Sequence, residues 1–320
     1  MSDAPSISVI IPARDARATL GDTLRGLAEQ ACAERFEVIV VDDGSRDGTA
    51  ELARSCTRVD HVVRLAGEGP ARARNAGAAR AASPELAFLD ADCLPAPGWL
   101  AAGHAALRSA ELVLGETRPR IDQPPGPFDR TLTVVGCSPL FESANLFVRR
   151  ELFERLGGFE SWLGPRDGKE LGEDVWFGWR AQRSGALISA CAPALAYHAV
   201  HARGAAGFVA ERSRLRFFPA LVRRVPELRE AFLHRRRFLN PRTASFDAAA
   251  AGLALAGLLR RREPALAALA ALATVPYLRL LAADAREAEG ARKLAVRSAA
   301  DVVGFAALVA GSARHRTLVL

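Results

Sequence analysis

The sequence predicts an α/β protein, in which a doubly wound, mostly parallel sheet is followed by an α-helical tail. Short apolar runs alternate with helical patterns over roughly the first hundred residues, and several of these runs end in acidic or turn residues. Repeating strand–helix–strand units form parallel sheets with helices on both faces. The composition changes near residue 203, where arginine clusters and Ala/Leu-rich runs begin. We therefore expect an α/β domain over residues 1–203 and a basic helical region over residues 204–320.

Four apolar runs predict the first strands of the sheet. They are SVII (8–11), which Pro12 should end, FEVIVVDDGS (36–45), HVVRL (61–65) and ELAFLDAD (85–92). The second run is apolar without alternation, which is typical of a parallel strand buried on both faces. Apolar spacings of three and four residues predict a helix over 19–30, and further helices are expected at 48–56 and 71–83.

The predicted strand ends carry a cluster of acidic side chains. Pro12, Asp42, Asp43, Asp90 and Asp92 all fall at such ends. In open α/β sheets, ligands bind in the crevice beyond the carboxyl ends of the strands. Two carboxylates separated by one residue would repel unless a divalent cation lay between them and a phosphate. This crevice is the predicted functional site.

The remainder of the α/β region predicts further strand and loop over 111–150 and two more helices. Residues 151–159 form a helix closed by Gly157 and Gly158, a typical C-cap signal. A Gly-rich loop over 161–174 precedes the second helix, at 174–185. We expect ligand specificity to depend on the loops 115–142 and 161–172, which contain no readable code.

Composition limits the classes of partner and compartment. The chain has 320 residues, of which 50% are hydrophobic, and a net charge of +7, which suits acidic partners but also fits an Arg- and Ala-rich codon bias. Its five cysteines are scattered and never form CxxC, so we expect a reducing compartment without a zinc cluster or disulfide framework. The N-terminus meets Pro5 before an apolar core, so no secretion signal is expected.

Six motifs together resemble those of the inverting family 2 glycosyltransferases, which have the GT-A fold. They span residues 7–200 in the family's order: ISVIIPARD (7–15), VIVVDDGSRDGT (38–49), ARARNAGA (71–78), FLDADCLP (88–95), SANLFVRRELFERLGGF (143–159) and GEDVWFGWR (172–180). The resemblance implies transfer of a sugar from a nucleotide-diphosphate donor to an acceptor hydroxyl, with inversion at the anomeric carbon.

The resemblance also implies a metal site. Asp90 and Asp92 would bind Mn²⁺ or Mg²⁺, which prefer oxygen ligands, and the ion would neutralise charge on the leaving diphosphate. His198, twenty-four residues after Asp174, would be a further ligand, with His201 the weaker candidate. The alternative for the acidic pair is a solvated turn at a strand end.

The resemblance assigns nucleotide-sugar contacts to eight residues: Pro12, Ala13, Asp42, Asp43, Arg74, Asn75, Asp90 and Ala91. Asp42 would accept a hydrogen bond from the base, a uracil N–H for instance, although Asp43 beside it is an alternative. The DDGS stretch could instead serve as a helix cap or turn. Arg72 could take the role of Arg74, and both could simply lie on an exposed helix face.

The resemblance makes Asp174 the general base, with Glu173 the next candidate. A base at this position would take the proton of the acceptor hydroxyl as its oxygen attacks, and a single displacement needs only one such base. The alternative for both acids is stabilisation of the helix N-terminus.

The tail, residues 204–320, predicts attachment to a membrane. Apolar stretches at 246–259, 265–282 and 299–313 are separated by arginine clusters. A spanning helix needs about 20 apolar residues, so we favour helices lying in, or re-entering, the cytoplasmic face of the cell membrane, which is anionic. True spanning and a soluble helical bundle or homo-oligomer face are the alternatives. The expected acceptor is a glycan or a lipid-linked molecule, and the expected donor a UDP-sugar.

Other functions fit the sequence less well. A nucleotidyltransferase would carry a Gly-rich, basic loop after the first strand, where this chain has IPARDARATL. A sugar-nucleotide-binding membrane scaffold without activity would not need Asp90, Asp92 and Asp174 together. Nucleic-acid binding by residues 211–242 is not expected, because the apolar residues between the arginines suit a membrane face better.

Overall fold

The computed structural model describes residues 5–31, 35–163 and 171–320. The chain divides into two compact units: residues 1–125 with 130–201 form the first, and residues 126–129 with 202–320 form the second. Cys32 and half of the Gly-rich loop over 161–174 lie outside the described residues.

In the described part of the first unit, eight strands form one sheet. The strands are β1 (Ile7–Ala13), β2 (Phe36–Asp43), β3 (His61–Leu65), β4 (Glu85–Leu89), β5 (Cys93–Pro95), β6 (Leu112–Pro119), β7 (Asn145–Arg149) and β8 (Ile188–His198). Their order in the sheet is β3-β2-β1-β4-β7-β6-β8-β5. The strands β1 to β4 run parallel, β7 pairs antiparallel with both β4 and β6, and β8 pairs parallel with β6. The prediction of a mostly parallel α/β sheet is confirmed.

Six helices of the first unit connect these strands. They are α1 (Arg17–Ala28), α2 (Thr49–Ser55), α3 (Pro70–Arg80), α4 (Trp99–Ala106), α5 (Arg150–Arg155) and α6 (Glu173–Arg183). Gly157 and Gly158 follow α5 with φ angles of +75° and +68°, so they terminate the helix as a C-cap pair should.

Two strand ends differ from the sequence prediction. The strand β1 continues through Pro12 to Ala13, because its pairing with β4 ends at Ile10 and an N–H at position 12 is not needed on that side. The strand β4 ends at Leu89 rather than Asp92, so the Asp-Ala-Asp stretch forms a turn. Cys93 N–H donates to the Asp90 carbonyl across this turn, and Ala199 N–H donates to the Asp92 carbonyl.

A buried amide holds the middle of the sheet together. Asn145 donates from Nδ2 to the carbonyls of Glu116 and Ala194, both at 2.9 Å, and accepts the indole N–H of Trp99 at 2.8 Å. Gly115 lies against this amide, since a Cβ on Gly115 would approach the Asn145 amide atoms to 2.4 Å. The absence of a side chain at position 115 therefore permits the amide to bridge the strands.

We expect Gly115→Ala to lower the free energy of unfolding by about 1–3 kcal/mol, because the new methyl group displaces the Asn145 amide from a well-packed core. Urea denaturation monitored by circular dichroism measures this change. Gly21→Ala is the matched control: its Cβ meets no heavy atom within 4 Å in the middle of α1. It should leave stability unchanged or raise it by up to about 1 kcal/mol. Equal losses in both variants would contradict the proposed role of position 115.

The second unit is helical. Its α-helices are α7 (Ala205–Glu211), α8 (Phe218–Arg224), α9 (Leu228–Ala231), α10 (Pro241–Leu259), α11 (Pro264–Ala271), α12 (Val275–Arg286) and α13 (Gly290–His315). Asn240 caps α10 by accepting the N–H groups of Arg242 and Thr243, and the Thr243 hydroxyl accepts the Asn240 N–H in return. Two segments are long and apolar enough to cross a membrane, Pro264–Arg286 and Gly290–His315. This finding is consistent with a membrane-associated tail.

Candidate active site

A cleft of about 520 Å³ opens at the carboxyl ends of β1, β2 and β4. The predicted residues that line it are Pro12, Ala13, Asp43, Arg74, Asp90, Ala91, Asp92 and His201. The sheet therefore gathers most of the predicted strand-end residues around one cavity. Of the other predicted residues, Asp42, Asn75, Glu173, Asp174 and His198 are not part of the lining.

The two acids that end β2 have different surroundings. Asp43 lines the cleft, but its carboxylate accepts the N–H groups of Glu68 at 2.6 Å and Gly69 at 2.9 Å. These bonds hold the loop that precedes α3. Asp42 is fully buried, with Oδ1 3.3 Å from the Ser45 N–H donor and Oδ2 3.3 Å from Arg64 Nε. Asp43 therefore positions this loop. The contact of Asp42 with the nucleotide base stays a prediction.

Arg74 connects two of the predicted acids. This buried guanidinium donates from Nη2 to Asp90 at 2.8 Å and from Nη1 to Glu173 at 3.2 Å. Burial disfavours its charge, but the carboxylates of Asp90, Glu173 and Asp174 outweigh that cost and raise the pKa of Arg74. Arg74 therefore brings the Asp-Ala-Asp turn and the start of α6 together, although 99 residues separate it from Glu173.

Asn75 makes backbone contacts in the structure. Its Nδ2 donates to the Phe159 carbonyl at 2.7 Å, and its Oδ1 accepts the Phe159 N–H at 2.9 Å. Both hydrogen-bonding ends of the amide are thus used to hold the chain beyond α5. The nucleotide contact predicted for Asn75 stays a prediction.

Three side chains at the Asp92 end of the cleft could hold a metal ion. Potential ligand atoms of Asp92, His198 and His201 lie within 4.8 Å of one another. Asp92 Oδ2 is 2.7 Å from His201 Nε2 and 3.5 Å from His198 Nε2. Asp90 lies outside this group and pairs with Arg74 instead, while His201, the weaker sequence candidate, is closest to Asp92.

The donor set of this group fits a divalent transition-metal ion. His198 Nδ1 lies 2.7 Å from the Ala199 carbonyl, and a proton on Nδ1 would leave Nε2 free as a ligand. Burial raises the pKa of Asp92, but the hydrogen bond to His201 and nearby positive charges lower it overall, so the carboxylate is ionised. Two imidazoles with one carboxylate suit Mn²⁺ better than Mg²⁺, which prefers oxygen ligands and keeps its waters.

The two acids at the start of α6, Glu173 and Asp174, have different electrostatic surroundings. Glu173 is buried and its charge is balanced by Arg74. Asp174 is half-buried, and Oδ1 accepts the Val175 N–H at 2.8 Å. Burial raises the pKa of Asp174 to about 8, the negative charge of Glu173 adds to the shift, and Arg74 opposes it. Asp174 therefore has the properties of a proton acceptor, and Glu173 those of a partner for arginine.

Three charged residues that line the cleft were not predicted from the sequence, namely Arg14, Asp15 and Arg130. Arg14 and Asp15 directly follow β1 in the quoted ISVIIPARD motif, so their position after a strand was an available signal. Arg130 follows a Pro-rich loop, and its backbone pairs with that of His201, which is distant in sequence. Its N–H donates to the His201 carbonyl at 3.0 Å and its carbonyl accepts the His201 N–H at 2.8 Å.

These observations define a class of protein. A mixed, mostly parallel sheet with an acid–X–acid turn beyond a central strand, facing a cleft, is the architecture of the GT-A glycosyltransferases. The sequence agrees with that class, because residues 8–157 match Glycosyl transferase family 2. This part of the chain is therefore similar to the family 2 glycosyltransferases.

Curated relatives carry glycosyltransferase names. Glycosyltransferase AglE of Haloferax volcanii is 30% identical over 177 residues, which cover 51% of this chain and 58% of AglE. Validoxylamine A glucosyltransferase of Streptomyces hygroscopicus subsp. jinggangensis is 43% identical over 122 residues, or 36% of this chain and 29% of that protein. The chain thus spans less than two thirds of the length of either relative.

A solved structure shares the fold. The mannosyltransferase PcManGT from Pyrobaculum calidifontis, solved in complex with GDP-Man and Mn²⁺, superposes with a TM-score of 0.58 at 21% identity. The match covers 98% of this chain and 88% of PcManGT. At this level of identity the likeness establishes the fold.

Proposed function

We propose that the protein transfers a sugar from a nucleotide-diphosphate donor to an acceptor hydroxyl, with inversion and with a bound divalent cation. The observation that carries the proposal is the convergence of two chemistries: a cation-binding group (Asp92, His198, His201) and a carboxylate of raised pKa (Asp174), linked through Asp90, Arg74 and Glu173. Inversion requires one base and a stabilised leaving group, and this arrangement supplies both.

Asp174 is the proposed general base. A base with a pKa near the working pH accepts a proton more effectively than a strongly acidic carboxylate. Glu173 is less suited, because its carboxylate already pairs with Arg74 3.2 Å away. The acceptor hydroxyl would lose its proton to Asp174 as its oxygen forms the new bond to the anomeric carbon and the nucleotide diphosphate leaves.

Asp92, His198 and His201 are the proposed ligands of the cation. When bound, a Mn²⁺ ion would neutralise the negative charge that develops on the leaving diphosphate. Asp90 is assigned to Arg74 in this proposal: together with Glu173, its charge fixes the guanidinium at the cleft wall. Pro12, Ala13 and Ala91 contribute backbone and packing surface to the donor pocket.

A donor screen tests the proposal directly. Thermal unfolding with Mn²⁺ and UDP, GDP or dTDP should show a raised melting temperature for one nucleotide, because a ligand of the folded state stabilises it by mass action. We expect a uridine nucleotide, and most of the effect should be lost when the cation is chelated. If none of the three nucleotides raises the melting temperature, the assignment of the cleft as the nucleotide site is contradicted. Sugar transfer to an acceptor, followed with labelled donor, separates an enzyme from an inactive scaffold.

Arg130 is proposed as a second positive group for the leaving diphosphate. It lines the cleft, its charge reaches Asp92, and its backbone pairs with the ligand His201. Among the described residues, its guanidinium has no hydrogen bond or ion pair, so it is available to a phosphate. Charged hydrogen bonds of this kind contribute about 1.5–3 kcal/mol.

We therefore expect Arg130→Ala to lower kcat by roughly 10–100-fold, and Arg130→Lys to restore part of the loss. Steady-state kinetics of donor turnover measure both variants. Arg155→Ala is the control, since Arg155 pairs with Glu111 and is not among the residues lining the cleft. A loss in the Ala variant that appears only in KM for the acceptor would argue against a role at the diphosphate.

For the whole chain, we propose action at the cytoplasmic face of the cell membrane on a glycan or lipid-linked acceptor. Support comes from the two long apolar helical segments and the basic charge of the tail. A homo-oligomer is compatible with this proposal.

A further inference from the structure

The second unit exposes an unusually apolar hairpin, which we define as residues 248–278. It contains the second half of α10, all of α11 and the first turn of α12. Residues 248–259 and 264–273 contain no polar side chain. Seven of its leucines are between 49% and 79% exposed: Leu253, Leu255, Leu258, Leu266, Leu269, Leu272 and Leu278. Exposed apolar surface of this extent marks an interaction site.

The distribution of these side chains favours lipid over a protein partner. Leu253, Leu255 and Leu258 are separated by two and three residues, so at 3.6 residues per turn they point in different directions around α10. A docking helix would cover a single apolar stripe, whereas lipid chains below and beside an in-plane helix can contact side chains that point in several directions. The turn between α10 and α11 carries the exposed Arg260, Arg261 and Arg262, which complement anionic headgroups.

The length of the α10 arm excludes insertion of the hairpin across a bilayer. Twelve apolar residues in α10 (248–259) rise about 18 Å, and ten residues in 264–273 about 15 Å, against a hydrocarbon core of about 30 Å. An upright hairpin would leave its arginine turn inside the hydrocarbon, where charge is costly. With the arms parallel to the surface, the leucines reach lipid and the arginines reach phosphate.

An ionic network opposes spanning by α12 and α13. Arg242 Nη1 lies 2.8 Å from Asp284, and Arg242 Nε lies 2.8 and 3.0 Å from the two Asp301 oxygens. Tyr277 donates to Asp301 at 2.9 Å, and Arg297 also pairs with Asp284. Asp301 is the twelfth residue of α13, so in a spanning α13 the network would lie about 17 Å deep, near the bilayer centre.

We infer that the apolar hairpin lies in the plane of an anionic membrane surface and that no helix of the second unit's described residues crosses the membrane. The inference rests on the membrane attachment included in the proposed function and specifies its surface and its orientation. Close packing of α10 on α11 keeps the hairpin one body: a Cβ on Gly252 would meet the Ala270 carbonyl at 2.5 Å.

Vesicle binding by the full chain tests the inference without requiring activity. The protein should sediment with phosphatidylcholine vesicles containing about one third phosphatidylglycerol and be only partly released by high salt. Leu255→Glu/Leu258→Glu should weaken this binding by at least about tenfold. The matched control is Val309→Glu, an exposed apolar residue of α13 outside the hairpin, which should bind as the parent does. Replacing Arg260, Arg261 and Arg262 together by alanine should remove the salt-dependent part alone.

Depth of insertion separates the in-plane orientation from spanning. In Leu258→Trp, the fluorescence added to that of the native tryptophans should be quenched more by shallow-brominated than by deep-brominated lipids. Stronger deep quenching, no binding at low salt, or equal loss in Val309→Glu would each overturn the inference. A dimer that Leu255→Glu/Leu258→Glu dissociates, without vesicle binding, would assign the hairpin to a second copy of the chain. Donor binding in the cleft is measured separately, so failure here leaves the transferase proposal standing.

Discussion

Replacing Asp174 by asparagine should lower the rate of sugar transfer by roughly 10²–10⁴-fold, the contribution of a positioned general base. The amide keeps the shape of the side chain and its bond to the Val175 N–H, but it cannot take the acceptor proton. Donor affinity should stay close to that of the parent chain, because Asp174 is not among the residues lining the donor cleft. Single-turnover transfer and donor titration measure the two quantities separately.

Glu173→Gln distinguishes the two members of the acidic pair. This substitution removes the negative charge of Glu173, a partner of Arg74. Donor affinity and the free energy of unfolding should therefore change along with the rate of transfer. If Glu173→Gln abolishes transfer at unchanged donor affinity while Asp174→Asn retains near-normal turnover, Glu173 is the base. Asp122→Asn, a change at an exposed carboxylate paired with Arg120, controls for the loss of one negative charge.

The raised pKa of Asp174 also predicts how rate and stability depend on pH. Transfer should rise with pH and level off above about 8, since only the ionised carboxylate accepts a proton. The unfolded pKa of Asp is about 3.9, so the folded chain holds an extra proton between these values and loses stability as pH rises through this window. The free energy of unfolding of Asp174→Asn, relative to the parent, should therefore increase from pH 4 to pH 8. A constant difference would contradict the raised pKa.

The parallel half of the sheet could be predicted because its information is local. Each of the strands β1 to β4 is a short apolar run followed by turn residues. The crossover connections between parallel strands of one sheet are almost always right-handed. The acids at the strand ends follow from that topology, since parallel strands bring their carboxyl ends to one edge. Asp43, Asp90 and Asp92 lie at one cleft for this reason.

The partners of those acids could not be predicted, because they come from distant segments. Asp90 forms an ion pair with Arg74, whereas Asp92 faces His198 and His201. The backbone of Arg130 pairs with that of His201, which lies 71 residues further along the chain. The antiparallel β7, which lies between β4 and β6, has no local signal that distinguishes its direction from that of its neighbours. Pairing of this kind is decided by packing over the whole sheet, which a single sequence does not display.

Replacing Asp92 by asparagine should remove most of the cation-dependent nucleotide affinity while leaving the fold intact. Asp92 is the one carboxylate of the group it forms with His198 and His201, and its Oδ2 faces both imidazole Nε2 atoms. Even loss of a partner outside the ligand set typically lowers metal affinity about 10–100-fold, so loss of a ligand should exceed that range. Calorimetric titration of UDP with and without Mn²⁺ measures the effect, and circular dichroism checks the fold.

The variant Asp90→Asn shows whether the cation is bound by both acids of the Asp-Ala-Asp turn or by Asp92 alone. If both acids of the Asp-Ala-Asp turn bind the cation, the two variants should lose Mn²⁺-dependent affinity alike. Because Asp90 Oδ1 instead holds Arg74 at 2.8 Å, we expect Asp90→Asn to retain the Mn²⁺ dependence and to lose affinity equally with and without the ion. His201→Asn should behave as Asp92→Asn does, since His201 Nε2 is the nearer imidazole nitrogen at 2.7 Å. Unchanged Mn²⁺-dependent affinity in Asp92→Asn would remove the cation from this end of the cleft, and with it the assignment of His198 and His201 as ligands.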